Sequence, residues 1–162
     1  AIGMHNAGSK LDSKLSILST ENPMQTKVYD SISLLSRTTD AAGVDQFAST
    51  FTSFRVMDSY QNTGWRELQY KTLRTPTVTY PTDQLFERRD RHFSFAIPRN
   101  VLSANTDTNP NLYTVANVNL NGAYKDRIRD KYCRMDFKHT DSSHNKDFSL
   151  SYIIGKYRMS YR

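Results

Sequence analysis

The chain has 162 residues, a formal net charge of +6 and 37% hydrophobic residues, which suits a single domain. It contains 17 Ser, 16 Thr and 11 Asn, and 13 Asp but only 3 Glu. Asp, Asn and Ser favour turns and Glu favours helices, so this composition indicates strands and loops and argues against a helical bundle. No apolar run approaches the roughly 20 residues of a membrane-spanning helix, so we expect no membrane partner.

The first residues and the single cysteine give further expectations. Residues 1–10 lack a basic segment followed by an apolar stretch, so we expect no secretory signal there. The sequence begins with Ala rather than Met, and we expect a processed or truncated start. Cys133 is the only cysteine, which excludes an intramolecular disulfide and a cysteine zinc site. Its alternation with Met135 and Phe137 predicts a buried thiol.

Residues 1–23 are interpreted as an N-terminal arm and residues 24–162 as one domain. The arm contains scattered Gly and Ser, and Leu11, Leu15 and Leu18 have helical spacing within it. Because that segment is short, a helix there would be marginal on its own. From residue 24 onward, the period-2 alternation typical of strands dominates.

The alternation predicts seven or eight strands in the domain. They cover residues 25–37, 54–60, 68–80 (with Pro76 at an edge or bulge), 92–97, 112–120, 131–139 and 148–161. In the last range the alternating apolar residues lie at even positions up to Ile154 and at odd positions from Tyr157. Gly155 lies where this alternation changes. Gly155 lies either in a β-bulge of one long strand or in a two-residue hairpin turn, and we favour the bulge.

One short helix is predicted over residues 39–52. Val44, Phe47, Phe51 and Phe54 are three or four residues apart, and Asp40 is available as a cap. The strands around it are separated by polar loops, including 82–91 and 100–111. This pattern indicates an antiparallel sandwich or barrel.

The sequence contains no motif that indicates an enzyme. It lacks a Gly-rich phosphate loop, a Gly-x-Ser-x-Gly turn and a helix with His at i and i+4. His139 and His144 flank a loop, but a metal site would need at least one further ligand. We therefore expect no catalytic residues, no cofactor and no metal site.

Positive charge is concentrated in the C-terminal part of the chain. Residues 99–162 contain eleven basic and six acidic residues, whereas the first 64 residues contain five and six. Such a bias indicates one positive face, whose commonest partner is phosphate. At strand spacing, Arg127, Arg129 and Lys131 project to one side about 6.6 Å apart, close to the phosphate repeat of a nucleic acid. Together with Arg134, they form our first candidate nucleic-acid interface, through backbone rather than base contacts.

Further cations extend this prediction. Lys10 and Lys14 in the arm are also candidates for nucleic-acid binding. A predicted loop contains three close arginines, Arg88, Arg89 and Arg91. They bind nucleic acid, contact a neighbouring subunit or form ion pairs within the loop. Trp65 is interpreted as a half-buried packing residue, with stacking on a sugar ring as the alternative.

Three stretches resemble the single jelly-roll capsid proteins of very small icosahedral viruses, namely satellite-virus coat proteins and the capsids of small circular single-stranded DNA viruses. Residues 47–60 resemble their short aromatic helix leading into a strand with an aromatic–Arg step. Residues 70–97 resemble their Thr- and Pro-containing strands, and residues 148–162 their closing strand of aromatic and basic residues. The Arg-rich arm usual in that family is missing, because residues 1–23 hold only Lys10 and Lys14 as cations.

The resemblance implies an all-β, eight-stranded antiparallel jelly-roll sandwich with one short helix. It also implies a structural capsid protein, found in the virion, of which about 60 identical subunits close into a shell around a single-stranded nucleic acid genome. Two alternatives remain open. One is a carbohydrate-binding β-sandwich that uses Trp65, and the other is a small monomeric or dimeric barrel that binds single-stranded nucleic acid.

Overall fold

The computed structural model of the chain describes residues 12–59, 62–71, 83–98, 127–141 and 145–160. These residues form strands and turns and contain no helix, which confirms the all-β prediction. The strands are β1 (Ser13–Ser19), β2 (Lys27–Thr39), β3 (Ser53–Met57), β4 (Arg66–Tyr70), β5 (Asp83–Arg89), β6 (His92–Ala96), β7 (Arg129–Asp130), β8 (Cys133–His139) and β9 (Asp147–Met159). Across these ranges we find no helix long and apolar enough to cross a membrane.

The nine strands form one mixed sheet that curls around a core and nearly closes. Its order is β1-β8-β3-β4-β5-β6-β2, and β2 also pairs with β7 and β9. We call β1, β8, β3 and β4 half A, and β6, β2, β7 and β9 half B. β5 joins the two halves, because its first residues pair with β4 and its last residues pair with β6.

Aromatic and aliphatic side chains from the two halves meet in the core. The rings of Phe54 on β3 and Phe95 on β6 have centroids 4.6 Å apart. Gly155 on β9 leaves room for Met135 on β8, since a Cβ built on Gly155 would lie 2.9 Å from the methionine Cε. This burial of apolar surface, at about 25 cal/mol per Å², is the main force that holds the halves together.

The prediction of a purely antiparallel sheet is wrong. β4 and β5 are parallel, with Leu68 opposite Gln84. The direction of β5 is set by its tight hairpin with β6, whose turn residues Asp90 and Arg91 both have positive φ, 47° and 69°. The direction of β4 is set by its antiparallel pairing with β3. β4 and β5 therefore run in the same direction where they pair and join the two halves.

The predicted helix over residues 39–52 is also wrong. Oδ1 of Asp40 accepts hydrogen bonds from the backbone N–H of Ala42 and Val44 at 3.0 and 2.9 Å, and Gly43 has a φ of 79°. Asp40 therefore caps a tight turn instead of a helix. An amphipathic segment of this length is marginal as a helix, so the local turn prevails.

Three strands, β1, β5 and the two-residue β7, form where the sequence analysis predicted none. Part of the proposed arm is β1, which pairs antiparallel with β8 and packs Leu15 and Ile17 against the core. The helical spacing that includes Leu18 is misleading, because Leu18 faces outward. β5 occupies most of the predicted loop 82–91. The division into an arm of residues 1–23 and a domain of residues 24–162 stays a prediction.

β9 is one strand of 13 residues, which confirms the long strand over the hairpin at Gly155. Its bulge lies at Ser151 instead of Gly155, because Tyr152 pairs with Leu35 while Leu150 pairs with Ser36. A second irregularity, in β2, leaves Asp30 between the paired residues Tyr29 and Ser31. These two irregularities decide which side chains of half B face outward.

The other predicted strands have mixed outcomes. The ranges 25–37, 54–60, 92–97 and 131–139 correspond to β2, β3, β6 and β8. Only the beginning of the range 68–80 is described, as part of β4, and the range 112–120 lies outside the described residues.

Candidate nucleic-acid interface

β7 and β9, which border β2 on opposite sides, place basic residues in one row on the outer surface of half B. Lys27 and Tyr29 of β2 are buried, so Val28 between them faces outward. Arg129 on β7 and Arg158 on β9 are both paired with Val28, one on each side, and therefore share its face. Neighbouring strands lie about 4.8 Å apart, which places these two arginine backbones about 10 Å apart.

Arg127 and Lys156 extend this row. Ile128 is fully buried, so its neighbours Arg127 and Arg129 face the other way, toward solvent. Lys156 precedes Arg158 by two residues on β9 and is exposed on the same face. We call Arg127, Arg129, Lys156 and Arg158 the cation row.

Asp30 is the one carboxylate that the structure places among these four cations within the described ranges. Its Oδ1 accepts a hydrogen bond from Nη1 of Arg127 at 2.8 Å, and its Oδ2 lies 3.3 Å from Nε of Arg158. Arg127 and Arg158 nevertheless remain 46% and 57% exposed. Arg129 and Lys156 form no ion pair with any described residue. The cation row therefore keeps an excess of positive charge toward solvent, which suits a phosphate backbone.

Carboxylates from β3 and β7 fix the backbone beneath the cation row. Asp58, which follows β3, accepts the backbone N–H of Arg129 at 3.0 Å. Oδ2 of Asp130 accepts hydrogen bonds from the backbone N–H (2.9 Å) and the hydroxyl of Ser59, and its Oδ1 accepts one from the backbone N–H of Lys131. Burial opposes ionisation of Asp130, but these hydrogen bonds outweigh it and hold its pKa below the usual range. Lys131 itself is exposed in the turn that leads to β8.

Arg134 and Lys14 lie on the outer surface of half A, across the core from the cation row. We call the outward-facing cations of half A, with the residues between them, face A. It comprises Lys14, Arg55, Trp65, Arg134, Asp136 and Lys138. The predicted group Arg127, Arg129, Lys131 and Arg134 is thus divided between two sides of the molecule.

Three of the four cations of face A form ion pairs. Asp136, only 5% exposed, accepts hydrogen bonds from Nε of Arg55 and from Nε of Arg134, both at 2.8 Å. Burial raises the pKa of Asp136, but hydrogen bonds from Ser16 and the two arginines outweigh it, so the pKa lies below its usual range. Lys138 Nζ lies 3.5 Å from Oδ2 of Asp12.

Trp65 is a half-buried part of face A. The guanidinium carbon of Arg55 and the Nζ of Lys138 each lie 4.8 Å from the centroid of its ring system. These cation–π contacts confirm the predicted packing role. They also occupy the ring that a carbohydrate-binding protein would offer to a sugar.

The cations of the β5–β6 hairpin have different environments. Arg88 is 8% exposed and lies over the rings of Phe47 and Phe93, at 4.2 and 5.1 Å, so it stabilises the fold. Arg89 is 85% exposed, and its Nη2 lies 3.4 Å from Oε2 of Glu87, which is an ion pair within the loop. Arg91 is exposed at the turn. Lys10 lies outside the described residues.

Sequence reasoning missed Lys156 and Arg158. Their alternation on the closing strand was visible, but nothing in the sequence showed that β9 and β7 both border β2. Conversely, Arg129 and Arg134 are close in sequence, yet β7 and β8 belong to opposite halves. Strand pairing, rather than distance along the chain, assembles the cation row.

Cys133 and His139 have structural roles. Cys133 is fully buried, and burial raises the pKa of its thiol to about 12, which confirms the buried thiol. The ring of buried His139 stacks on Phe148 at 4.5 Å, and its Nδ1 lies 3.1 Å from the carbonyl oxygen of Thr50. Among the described residues, no group of three or more His, Cys, Asp or Glu could hold a metal ion.

Comparisons of the chain with protein-family models and with curated proteins find no match.

Proposed function

We propose that this chain is a structural, non-enzymatic coat protein that assembles with copies of itself into a small icosahedral shell and holds single-stranded nucleic acid by its phosphates. The cation row carries the proposal, because it places four cations on an exposed sheet surface, where Asp30 is the one described carboxylate and pairs with two of them. In the assembled particle the cation row lines the interior. We further propose that this sheet is a form of jelly roll, with the nine described strands in place of the predicted eight.

The spacing of the cation row supports contact with phosphates. Lys156 and Arg158 are two residues apart on one strand, which corresponds to about 6.6 Å. That distance is close to the spacing of phosphates along an extended single strand. We therefore expect binding of single strands with little dependence on sequence.

Exposed apolar side chains and open sheet edges support self-assembly. Met24, Val44, Phe47 and Tyr132 are exposed in turns and loops at the ends of strands. Within the described ranges, β9 pairs with β2 alone, so 13 residues have an open edge. Such edges and apolar turns are covered when identical subunits pack around symmetry axes.

A small barrel that binds single strands as a monomer or dimer is the second candidate. The near closure of the sheet favours it, because closure leaves few sheet edges for assembly. Particle size separates the two candidates. Light scattering and negative-stain electron microscopy of the purified chain at low salt are expected to show closed shells, whereas a uniform monomer or dimer at high concentration would contradict the coat-protein proposal.

The role of the cation row is tested by removing three of its charges. The triple variant R129A/K156A/R158A keeps Arg127 as the partner of Asp30. Each phosphate contact with a single strand contributes about 0.7 to the salt slope, so the variant should lose about 2 units of slope in oligothymidylate binding measured by fluorescence anisotropy. Its free energy of unfolding should change little, because all three side chains lie on the surface.

The matched control removes three charges from face A. The variant K14A/R134A/K138A has the same net charge as R129A/K156A/R158A but leaves the cation row intact. We expect its salt slope to stay within about half a unit of the parent, since Arg134 is paired with Asp136 and Lys138 with Asp12. A larger loss of slope in the face A variant than in the row variant would move the interface to face A and refute our assignment.

A further inference from the structure

A cleft of about 420 Å³ lies on half B, seven residues along β2 from the cation row. It is open between the end of β2, the first part of β9 and the β5–β6 hairpin. Arginine and serine side chains dominate its lining, with one carboxylate. The polar residues include Arg37, Arg88, Arg91, Asp45, Ser149 and Ser151.

Backbone irregularities on both sides shape this cleft. The β9 bulge at Ser151 interrupts the pairing between Leu35 and Ser36 of β2. Opposite it, Arg91 occupies the second position of the β5–β6 turn with a φ of 69°, which brings its side chain to the rim.

Arg88 lines the cleft and has one buried donor that the described residues do not satisfy. Its Nη1 donates to the carbonyl oxygen of Phe47 at 2.8 Å, and its Nη2 lies 3.4 Å from Oδ2 of Asp45. Its Nε is buried and has no hydrogen-bond partner among the described residues. Buried donors in folded proteins are normally paired, so this N–H indicates an acceptor other than the described residues.

We propose that this cleft binds a phosphate group carried by a ligand of nucleotide size. Three guanidinium groups face one carboxylate, and Asp45 is already engaged by Arg88. Guanidinium forks match the geometry of phosphate oxygens, and the hydroxyls of Ser149 and Ser151 add neutral donors. The volume exceeds that of a bare phosphate and lies in the range of small-molecule sites, which leaves room for an attached sugar. This inference does not depend on the coat-protein proposal.

Calorimetric titration of the full chain tests the cleft with three probes: inorganic phosphate, adenosine monophosphate and adenosine. We expect both phosphates to bind and adenosine not to bind. The double variant R37A/R91A should weaken phosphate binding at least tenfold, since each charge-assisted arginine contact is worth about a factor of ten. R89A is the matched control, because Arg89 lies next to the hairpin turn but outside the cleft, and it should bind within twofold of the parent.

The outcomes separate this site from the cation row. Tighter binding of adenosine monophosphate than of inorganic phosphate would identify a nucleotide-sized ligand, and equal binding would identify free phosphate; both support a phosphate site. Phosphate binding that survives R37A/R91A unchanged, or no binding of either phosphate at millimolar concentration, overturns the proposal. The row variant R129A/K156A/R158A should keep parental phosphate affinity, and loss of that affinity would place the phosphate in the cation row instead.

Discussion

Face A and the cation row each present four cations, yet their surfaces differ in charge balance. On face A, the outward residues of the neighbouring strands include three carboxylates, Asp12, Glu67 and Asp136. Asp136 alone receives hydrogen bonds from two arginines. In the cation row, Asp30 is the one carboxylate among the described neighbours. A count of basic residues along the chain therefore does not locate a binding surface; the acidic residues that strand pairing places beside them do.

The two carboxylates also differ in position. Asp136 lies on β8, the middle strand of its neighbourhood, where Arg55 on β3 and Ser16 on β1 are its direct partners. Asp30 lies at an irregularity of β2 and is about a third exposed. A buried carboxylate with several donors organises the side chains around it, whereas an exposed one only reduces the local charge. The predictions below use this contrast.

The largest effect is expected from Asp136→Ala. The substitution leaves Arg55, itself mostly buried, without its carboxylate partner. Breaking a buried pair costs about 3–5 kcal/mol, and because Arg134 is half exposed we expect a loss of about 2–3 kcal/mol in the free energy of unfolding, measured by urea denaturation. Asp12→Ala is the control, since its pair with Lys138 is more exposed and should cost less than about 1 kcal/mol. Equal losses in the two variants would show that Asp136 does not organise face A.

Acid should destabilise the protein through the same group. The pKa of Asp136 is lowered in the folded state, because hydrogen bonds from Ser16 and two arginines outweigh the effect of burial. A depressed pKa contributes stability that is fully present above the unfolded pKa of about 3.9 and is lost as the pH falls through the folded value. The free energy of unfolding should therefore fall below about pH 4. In Asp136→Asn the decline should be shallower, and an unchanged pH profile would assign the acid sensitivity to other carboxylates.

Much of the fold could be predicted from local alternation, because a strand with one buried face shows it directly. Phe93 and Phe95 alternate with exposed neighbours on β6, and the same pattern identified β8. The prediction failed where a short-range pattern had a second interpretation. Val44 and Phe47 have helical spacing, but the turn at Asp40 and Gly43 prevents a helix. The bulge was predicted at Gly155, four residues after its actual position at Ser151. Gly155 faces the core but has no side chain, so the alternation of apolar residues does not show which way it faces.

Only two of the four residues of the cation row could be predicted from the sequence. Arg127 and Arg129 could be found from their spacing within a basic segment. Lys156 and Arg158 could not be joined to them, because the neighbours of β2 are set by long-range pairing that alternation does not encode. The burial of Arg88 could not be predicted either, because the rings that cover it, Phe47 and Phe93, come from two different segments of the chain.

The smallest effect, and the most direct comparison with Asp136, is expected from Asp30→Asn. This substitution removes the carboxylate charge of the cation row and keeps the side-chain volume, so Asp30 no longer competes with phosphate for Arg127 and Arg158. We expect oligothymidylate affinity at low salt to rise about threefold to tenfold, with less than about 1 kcal/mol change in the free energy of unfolding. Asp147→Asn, at the far end of β9, makes the same change in net charge away from the row. An equal gain in both variants would attribute binding to net charge alone. A loss of affinity in Asp30→Asn would instead mean that Asp30 orients the two arginines, as Asp136 does on face A.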